Sequence, residues 1–206
     1  MNLLYDGPVD AEATLVLAHG AGAPMDSPFM QSMATAVAAG GLRVVRFEFP
    51  YMADRRQGER RGPDRTAVLA RAWNEVIVAI GDPARLVIGG KSMGGRIASM
   101  IADEAGVAGV VGLGYPFHPP GRPASLRTAH LESLKTPALI VQGERDPLGS
   151  RGEVAAYALS PAIRVEWLPD GDHSFKPRKR SGHTTEGNLA KAVDLVVRFC
   201  RQVSSS

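Results

Sequence analysis

The residues of this sequence best suited to catalysis are a serine, an aspartate and a histidine. Ser92 comes first along the chain, Asp146 follows it, and His173 follows Asp146. A serine hydroxyl becomes an effective nucleophile when an imidazole accepts its proton, and a carboxylate keeps that imidazole in the correct tautomer. The three residues together predict acyl transfer through a covalent acyl-serine, with the imidazole returning the proton to the leaving group.

Ser92 lies between a predicted buried strand at residues 86–88 and a predicted helix at residues 97–104. The strand segment is a short apolar run, as expected of a strand that is covered on both faces. Gly90 and Gly94 complete the pattern Gly-x-Ser-x-Gly around the serine. A serine on a sharp turn from strand to helix, between glycines that leave room for neighbouring backbone, is typical of a nucleophile elbow.

Two other interpretations of this stretch stay open. Gly-Lys-Ser at residues 90–92 is similar to part of a phosphate-binding P-loop, but that motif requires a glycine where this chain has Arg85. A glycine-rich turn with a surface serine is the other interpretation, because Gly-x-Ser-x-Gly is a common pattern. The chain order of the three residues and their positions just after predicted strands favour the triad.

Two backbone N–H groups are candidates for binding the oxyanion of a tetrahedral intermediate. One is the N–H of Met93, because the free N–H groups at a helix N-terminus favour negative charge. The other is the N–H of Ala21, in the turn His-Gly-Ala-Gly at residues 19–22, whose glycines let substrate approach the backbone closely. We expect His19 to shape this turn by hydrogen bonding and not to act as a base.

Other acids compete with Asp146 for the role beside the imidazole. Glu144 lies two residues before Asp146 and stays the main alternative. Asp172 is less suitable, because it directly precedes His173 and adjacent side chains do not easily face one another. The histidines expected to be structural or solvated are His130 and His183.

The composition is that of a soluble globular protein. The chain has 206 residues, of which 44% are hydrophobic and 22% charged, and its net charge of +3 gives no argument for nucleic-acid binding. Cys200 is the only cysteine, so no intrachain disulfide can form and a cytoplasmic location is expected. No apolar run could span a membrane, and the N-terminus lacks a signal-peptide pattern. We therefore expect no nucleic-acid or membrane partner, no cofactor and no metal; the oligomeric state is not predicted.

Apolar runs and helical periodicity divide the chain into alternating strands and helices. Strands are predicted at residues 14–18, 43–49, 86–88, 109–113, 137–142 and 163–168. Helices are predicted from Pro28 to the glycines at 40–41 and at residues 66–80, 97–104, 125–134 and 186–202. Residues 51–65 are predicted to form an exposed, arginine-rich loop.

This alternation predicts an α/β fold in a single domain, residues 1–206, with a mostly parallel central sheet and helices on both faces. In such sheets the functional groups gather beyond the carboxyl ends of the strands. Five loops that follow predicted strands carry candidate residues: those at 19–21, Ser92, His118, Asp146 and His173. We expect these loops to converge on one edge of the sheet.

The chain resembles the α/β-hydrolases over nearly its whole length. The motifs are His-Gly-Ala-Gly at 19–22, Gly-Lys-Ser-Met-Gly-Gly-Arg at 90–96, Gly-Glu-Arg-Asp-Pro-Leu-Gly at 143–149 and Gly-Asp-His-Ser-Phe at 171–175. The resemblance implies a serine hydrolase with Ser92, Asp146 and His173 as the triad. A narrower resemblance, to the small hydrolase-like branch typified by testis-expressed protein 30, rests also on Gly-Tyr-Pro-Phe-His-Pro-Pro-Gly at 114–121. Dienelactone hydrolases are similar in size, but their typical nucleophile is cysteine.

These features predict a carboxylic ester or thioester hydrolase that acts on a small molecule. The resemblance also implies an alternative, a non-catalytic binding or scaffold module, because some relatives serve as interaction domains. A peptidase is a weaker third interpretation. An intact triad and oxyanion turn favour the enzyme, since a scaffold has no need to keep them all.

The segment between the strands at 109–113 and 137–142 is too short for a helical cap domain. A return helix at 125–134 leaves residues 115–123, whose four prolines predict a stiff loop. We expect a shallow, open groove that favours short or compact acyl groups. The residues expected to bind substrate there are Gly22, Tyr115, Phe117 and His118. Basic residues that are either solvated or attract anionic substrates are Arg55, Arg56, Arg60, Arg61, Arg65, Lys176, Arg178, Lys179 and Arg180.

Overall fold

The computed structural model describes residues 2–204, which form a seven-stranded sheet with helices on both faces. The strands are β1 (Leu3–Asp6), β2 (Thr14–Ala18), β3 (Arg43–Phe47), β4 (Leu86–Lys91), β5 (Gly109–Leu113), β6 (Ala138–Gly143) and β7 (Ile163–Leu168). Their spatial order is β1-β3-β2-β4-β5-β6-β7, and all neighbours pair in parallel except β1 with β3. The predicted mostly parallel α/β fold is therefore confirmed.

Six α-helices lie along the described residues. They are α1 (Pro28–Ala39), α2 (Pro50–Arg56), α3 (Thr66–Ile80), α4 (Met93–Ala105), α5 (Arg151–Val154) and α6 (Thr185–Ser204), with short 3₁₀ turns at Pro83–Arg85, Ala129–Leu131 and Lys179–Ser181. The helix boundaries follow local chemistry: α1 begins at a proline whose φ suits a first helical turn, and α4 ends at Gly106 in the left-handed conformation.

The sheet separates two apolar cores. Side chains alternate along β4, so that Val87 points to the core under α1 and α6, and Ile88 to the core under α3 and α4. In the second core, Trp73 packs edge-on against Phe47, with ring centroids 4.7 Å apart. Burying each large apolar side chain contributes about 1.5–3 kcal/mol, so both faces hold the sheet rigidly behind its carboxyl edge.

The structure differs from the predicted elements in two connections. Residues 51–65 were predicted to be a loop, but helix α2 occupies Pro50–Arg56, because Tyr51 and Met52 bury their side chains in the core. The prediction of a helix at 125–134 is wrong, because this segment contains only the 3₁₀ turn Ala129–Leu131. Its backbone bonds to neighbouring segments instead, with the Arg127 N–H donating to the carbonyl of Phe117 at 2.7 Å.

Two further elements carried little sequence signal. β1 is a short strand at the edge of the sheet, and α5 is only four residues long. Between β5 and β6 the described chain has no α-helix, so no cap domain covers the carboxyl edge there. Within residues 2–204, no helix combines the length and apolar character that a membrane span requires. The assignment of all residues 1–206 to one domain stays a prediction.

Candidate active site

Ser92 forms the turn from β4 to α4 in a backbone conformation that is strained for a serine. Its φ is 51° and its ψ is −113°, a region that residues with a Cβ rarely adopt. A Cβ on Gly90 would lie 2.1 Å from the carbonyl oxygen of Ala18, and a Cβ on Gly94 would lie 2.5 Å from the same atom. The glycines of the motif are therefore required because the turn lies directly against β2.

His19 fixes the turn that precedes α1. The imidazole is fully buried, and its Nε2 accepts the N–H of Phe49 at 3.1 Å. Its Nδ1 lies 2.6 Å from the carbonyl oxygen of Gly20. Because Nε2 is an acceptor, Nδ1 carries the proton and donates it to Gly20. Burial lowers the pKa of His19, which keeps the ring neutral. The structure thus gives His19 the supporting contacts predicted for it.

Tyr51 also contacts this turn, and the sequence did not predict it as a site residue. Its hydroxyl donates to the carbonyl oxygen of Ala21 at 3.1 Å. The N–H groups of Ala21 and Met93 donate to no acceptor within residues 2–204. Both residues line one cavity together with Ser92. The two free donors therefore lie beside the serine, where an oxyanion would form.

Asp146 and His173 form a buried hydrogen bond. The His173 Nδ1 lies 2.7 Å from Oδ2 of Asp146, whose side chain is fully buried. Two more donors reach this carboxylate: the Leu148 N–H at 2.8 Å from Oδ1 and the Gln142 Nε2 at 3.0 Å from Oδ2. A buried carboxylate is costly unless donors compensate it, and these three do so. Gln142 is a further residue that sequence reasoning missed.

The competing acids contact other groups. Glu144 binds the guanidinium of Arg151 at 2.8 Å and the N–H of Asp170 at 3.0 Å, and the hydrogen bond from Asp170 lowers the pKa of Glu144. Asp172 accepts the backbone N–H of Ser174 at 2.8 Å and so closes a local turn. Of the three candidates, the structure brings only Asp146 to the imidazole; that it is the catalytic acid stays a prediction.

Lys91, at the end of β4, connects the turn at Ser92 to the loop that carries His173. Its Nζ donates to the carbonyl oxygen of His173 at 2.7 Å and lies over the rings of Phe29 and Phe175, 5.6 and 6.0 Å from their centroids. Burial lowers the pKa of Lys91 to about 8. Gly114 has a φ of 66°, and a Cβ there would lie 2.8 Å from the same carbonyl oxygen of His173, so glycine is needed at this position. The lysine was visible in the sequence only as a charge ending an apolar strand.

Ser92 lies where two cavities meet. The first, of about 410 Å³, is lined by Gly20, Ala21, Gly22, Ala23, Ser27, Phe29, Met30, Lys91, Ser92, His173 and Ser174. The second, of about 380 Å³, is lined by Ala21, Pro63, Asp64, Thr66, Leu69, Ser92, Met93, Arg96, Pro116, Pro120, Arg127 and Leu148. The hydroxyl of Ser92 makes no hydrogen bond within residues 2–204. Contacts between nucleophile and base often tighten only when substrate binds.

The structure contradicts the predicted exposure of three of the four substrate-binding residues. Gly22 lines the first cavity, but Tyr115, Phe117 and His118 are buried, at 1%, 0% and 2% exposure, and line neither cavity. The aromatic rings turn into the core because an apolar loop after β5 gains more by packing than by exposure. The same loop reaches the second cavity through the prolines Pro116 and Pro120.

Three arginines of the basic loops pair with nearby carboxylates. Arg178 contacts the carboxylate of Asp170 through Nε at 2.9 Å, and this contact lowers the pKa of Asp170 to about 2. Arg56 pairs with Glu48 at 2.7 Å, and Arg61 pairs with Asp64. No residue between 176 and 183 lines either cavity at Ser92. For Arg56, Arg61 and Arg178 the structure therefore favours the interpretation of a paired, solvated surface.

His130 belongs to a polar cluster behind the site. Its Nε2 lies 3.0 Å from the Ser99 hydroxyl and 3.1 Å from the Tyr115 hydroxyl. Burial, and then the nearby charge of Arg96, lower the pKa of His130 to about 4. The cluster therefore holds a neutral imidazole at neutral pH.

Stability should accordingly fall in acid because of His130. The unfolded chain binds a proton at its ordinary histidine pKa near 6.5 and the folded chain only near 4, so folding stability is lost as the pH falls between these values. Thermal unfolding of wild type should show this loss, and His130→Gln should make the dependence between pH 6.5 and 4 less steep, with the remainder including the part due to His19. His183→Gln, at an exposed position, is the control. Equal slopes in wild type and His130→Gln would contradict the assignment.

The chain matches a known protein family over most of its length. A family model described as an alpha/beta hydrolase domain matches residues 11–201. The chain belongs to this family. The narrower resemblance to testis-expressed protein 30 stays a prediction.

Solved structures of several hydrolases share the fold. An alpha-beta serine hydrolase homologue from Coxiella burnetii is 20% identical, with a TM-score of 0.69 over 96% of this chain and 90% of that one. A lidless α/β serine hydrolase from Xanthomonas campestris is 20% identical, with a TM-score of 0.69 over 96% and 88%. A dienelactone hydrolase from Anabaena variabilis is 22% identical, with a TM-score of 0.70 over 97% and 90%. At these identities the likeness establishes the architecture, and function must be argued from the site.

Proposed function

We propose that this alpha/beta hydrolase is a serine-dependent carboxylesterase or thioesterase that works through an acyl-serine. In the proposal Ser92 is the nucleophile, His173 the base and Asp146 the acid that orients it. The observation that carries it is the 2.7 Å hydrogen bond from His173 to the buried Asp146, on a loop that shares a cavity with the strained Ser92. Backbone strain at a polar residue beside free N–H donors is typical of a catalytic turn.

In the proposed mechanism each group has one step. Because the Nδ1–H of His173 is committed to Asp146, Nε2 is free to accept the proton of Ser92 as its oxygen attacks the carbonyl carbon. The oxyanion is stabilised by the N–H groups of Ala21 and Met93. Collapse of the tetrahedral intermediate breaks the bond to the leaving group, which takes the proton from Nε2. A water molecule, deprotonated by the same nitrogen, then hydrolyses the acyl-serine.

The substrate we propose is a small ester or thioester with a short or compact acyl group, hydrolysed in the cytoplasm without a cofactor. The alternative is a binding or scaffold module that keeps the fold but not the reaction. The free N–H donors and the compensated Asp146 carboxylate support the enzyme. A scaffold would have no use for a strained serine, whose conformation costs on the order of 1–3 kcal/mol.

Hydrolysis of 4-nitrophenyl esters from acetate to palmitate tests both the reaction and the acyl size. Neither cavity at Ser92 exceeds about 410 Å³, and no cap domain extends them within the described chain. We expect kcat/KM to be highest for short chains and to show no activation at a lipid–water interface. A deep apolar pocket would instead raise kcat/KM by about fourfold for each methylene, from about 0.8 kcal/mol per buried CH₂.

Two results would contradict this expectation. A steady rise towards palmitate would show a long apolar pocket and overturn the short-acyl assignment while leaving the reaction in place. No hydrolysis of any ester, together with no covalent labelling of the folded protein, would favour the scaffold.

A further inference from the structure

The second cavity contains two arginines without acidic partners. Arg96 on α4 and Arg127 on the loop after β5 line it together with Ser92. Within residues 2–204 neither guanidinium takes part in an ion pair or a side-chain hydrogen bond, and the Nε of Arg96 is buried without a partner. Buried polar groups in proteins are nearly always satisfied, so an unsatisfied one beside a nucleophile needs an explanation.

The surroundings of the two arginines offer no compensating charge. Asp64 also lines the cavity, but its carboxylate is bound by Arg61 at 2.9 Å and by the N–H of Tyr51 at 3.0 Å. Burial, and then the charge of Arg96, lower the pKa of Arg127. The two cations therefore repel each other in a partly desolvated site.

Four other arginines around the site have acidic partners. Arg56, Arg61, Arg145 and Arg178 each contact a carboxylate at the rim of the sheet. Arg96 and Arg127 differ from these four in having no carboxylate partner within residues 2–204. Like charges held together at a cost are typical of a site that a ligand of opposite charge completes.

The position of His173 tells which part of a substrate enters this cavity. The imidazole must face the leaving atom in order to protonate it, and His173 lines the first cavity but not the second. The second cavity is lined by both oxyanion donors, Ala21 and Met93, and by apolar side chains such as Leu69 and Leu148 in addition to the arginines. The acyl substituent of the substrate therefore extends into the second cavity, towards the arginines.

We propose that Arg96 and Arg127 bind an anionic group, a carboxylate or a phosphoryl group, carried at the far end of the acyl chain. The substrate class is then the esters or thioesters of short acids with a second, negatively charged end. The proposal rests on the serine-hydrolase function and narrows its substrate. The planar guanidinium forks suit both anions, since each can present parallel N–H groups to two oxygens.

The test compares esters that differ only in that end group. Matched substrates are 4-nitrophenyl hemiglutarate, its neutral amide analogue 4-nitrophenyl 4-carbamoylbutanoate, and 4-nitrophenyl 4-phosphonobutanoate, each corrected for spontaneous hydrolysis at low salt. Wild type should show kcat/KM at least about tenfold higher for an anionic ester than for the amide. Preference for hemiglutarate or for phosphonobutanoate identifies which anion the site takes.

Substitutions locate the effect. Arg96→Gln and Arg127→Gln should each lower the anionic-to-amide ratio of kcat/KM about tenfold. Arg127→Lys keeps the charge without the fork and should give an intermediate ratio. Arg122→Gln removes the same charge from an exposed position on the same loop and should keep the wild-type ratio. The thermal unfolding of each variant checks that it is folded. Loss of the ratio in the arginine variants also shows that Lys91, which lines only the first cavity and donates to the carbonyl of His173, does not bind the anion.

The failures of the two proposals can be told apart. If wild type hydrolyses the amide ester and the anionic esters equally well, or if folded arginine variants keep the wild-type ratio, the anion site is wrong and the serine hydrolase stands. If wild type hydrolyses none of the esters and Ser92 cannot be labelled, both proposals fall.

Discussion

Ser92→Ala should lower ester hydrolysis by on the order of 10⁴ or more and abolish covalent labelling by a fluorophosphonate probe. The expected loss is this large because the acyl-enzyme cannot form without the hydroxyl, so the remaining donors only stabilise a direct attack by water. The fold should persist, since alanine keeps the Cβ that serine already holds at a φ of 51° and fills no new space. The measurement is kcat for a short nitrophenyl ester beside in-gel labelling.

Ser27→Ala is the matched control for this experiment. Ser27 lines the same cavity as Ser92, and its side chain makes no capping hydrogen bond to α1. Labelling should therefore survive in Ser27→Ala. Labelling that survives in folded Ser92→Ala, or turnover close to wild type in that variant, would show that the nucleophile lies elsewhere.

The part of the site that could be predicted from the sequence is the part that depends on local chain geometry. A serine between glycines at a change from strand to helix leaves few alternatives, and the structure shows the reason in the 2.1 Å approach that a Cβ on Gly90 would make to Ala18. The strand-end positions of Asp146 and His173 follow likewise from the alternation of elements, because parallel strands place their carboxyl ends at one edge.

The supporting residues could not be predicted, because their contacts join distant segments. Lys91 meets the carbonyl of His173 across 82 residues of chain, and Tyr51 reaches Ala21 across 30. No local pattern marks either contact. The direction of a side chain in an irregular loop is also invisible in the sequence, which is why Tyr115 and Phe117 were placed in the groove although the structure buries them.

The same limit applies to charge. Counting the basic residues of the loops indicated several candidates for anion binding, but Arg178 is neutralised by a carboxylate near in sequence, and only the fold reveals this pairing. Neither Arg96 nor Arg127 was a candidate from the number of basic residues in the sequence. What distinguishes them is that neither guanidinium forms an ion pair within residues 2–204, and this is a property of the folded chain.

The identity of the acid gives the second large effect. Asp146→Asn should lower kcat by about 10⁴, because an amide cannot hold the His173 imidazole with its proton on Nδ1 and its lone pair towards Ser92. The structure makes the change nearly isosteric, with Gln142 and the Leu148 N–H still in place, so loss of charge and tautomer dominates over loss of packing. Glu144→Gln is the matched control: its carboxylate binds surface groups away from the imidazole, so kcat should change little. A larger loss in Glu144→Gln than in Asp146→Asn would mean that the 2.7 Å contact between Asp146 and His173 is structural and that the catalytic acid is on the other side of the turn.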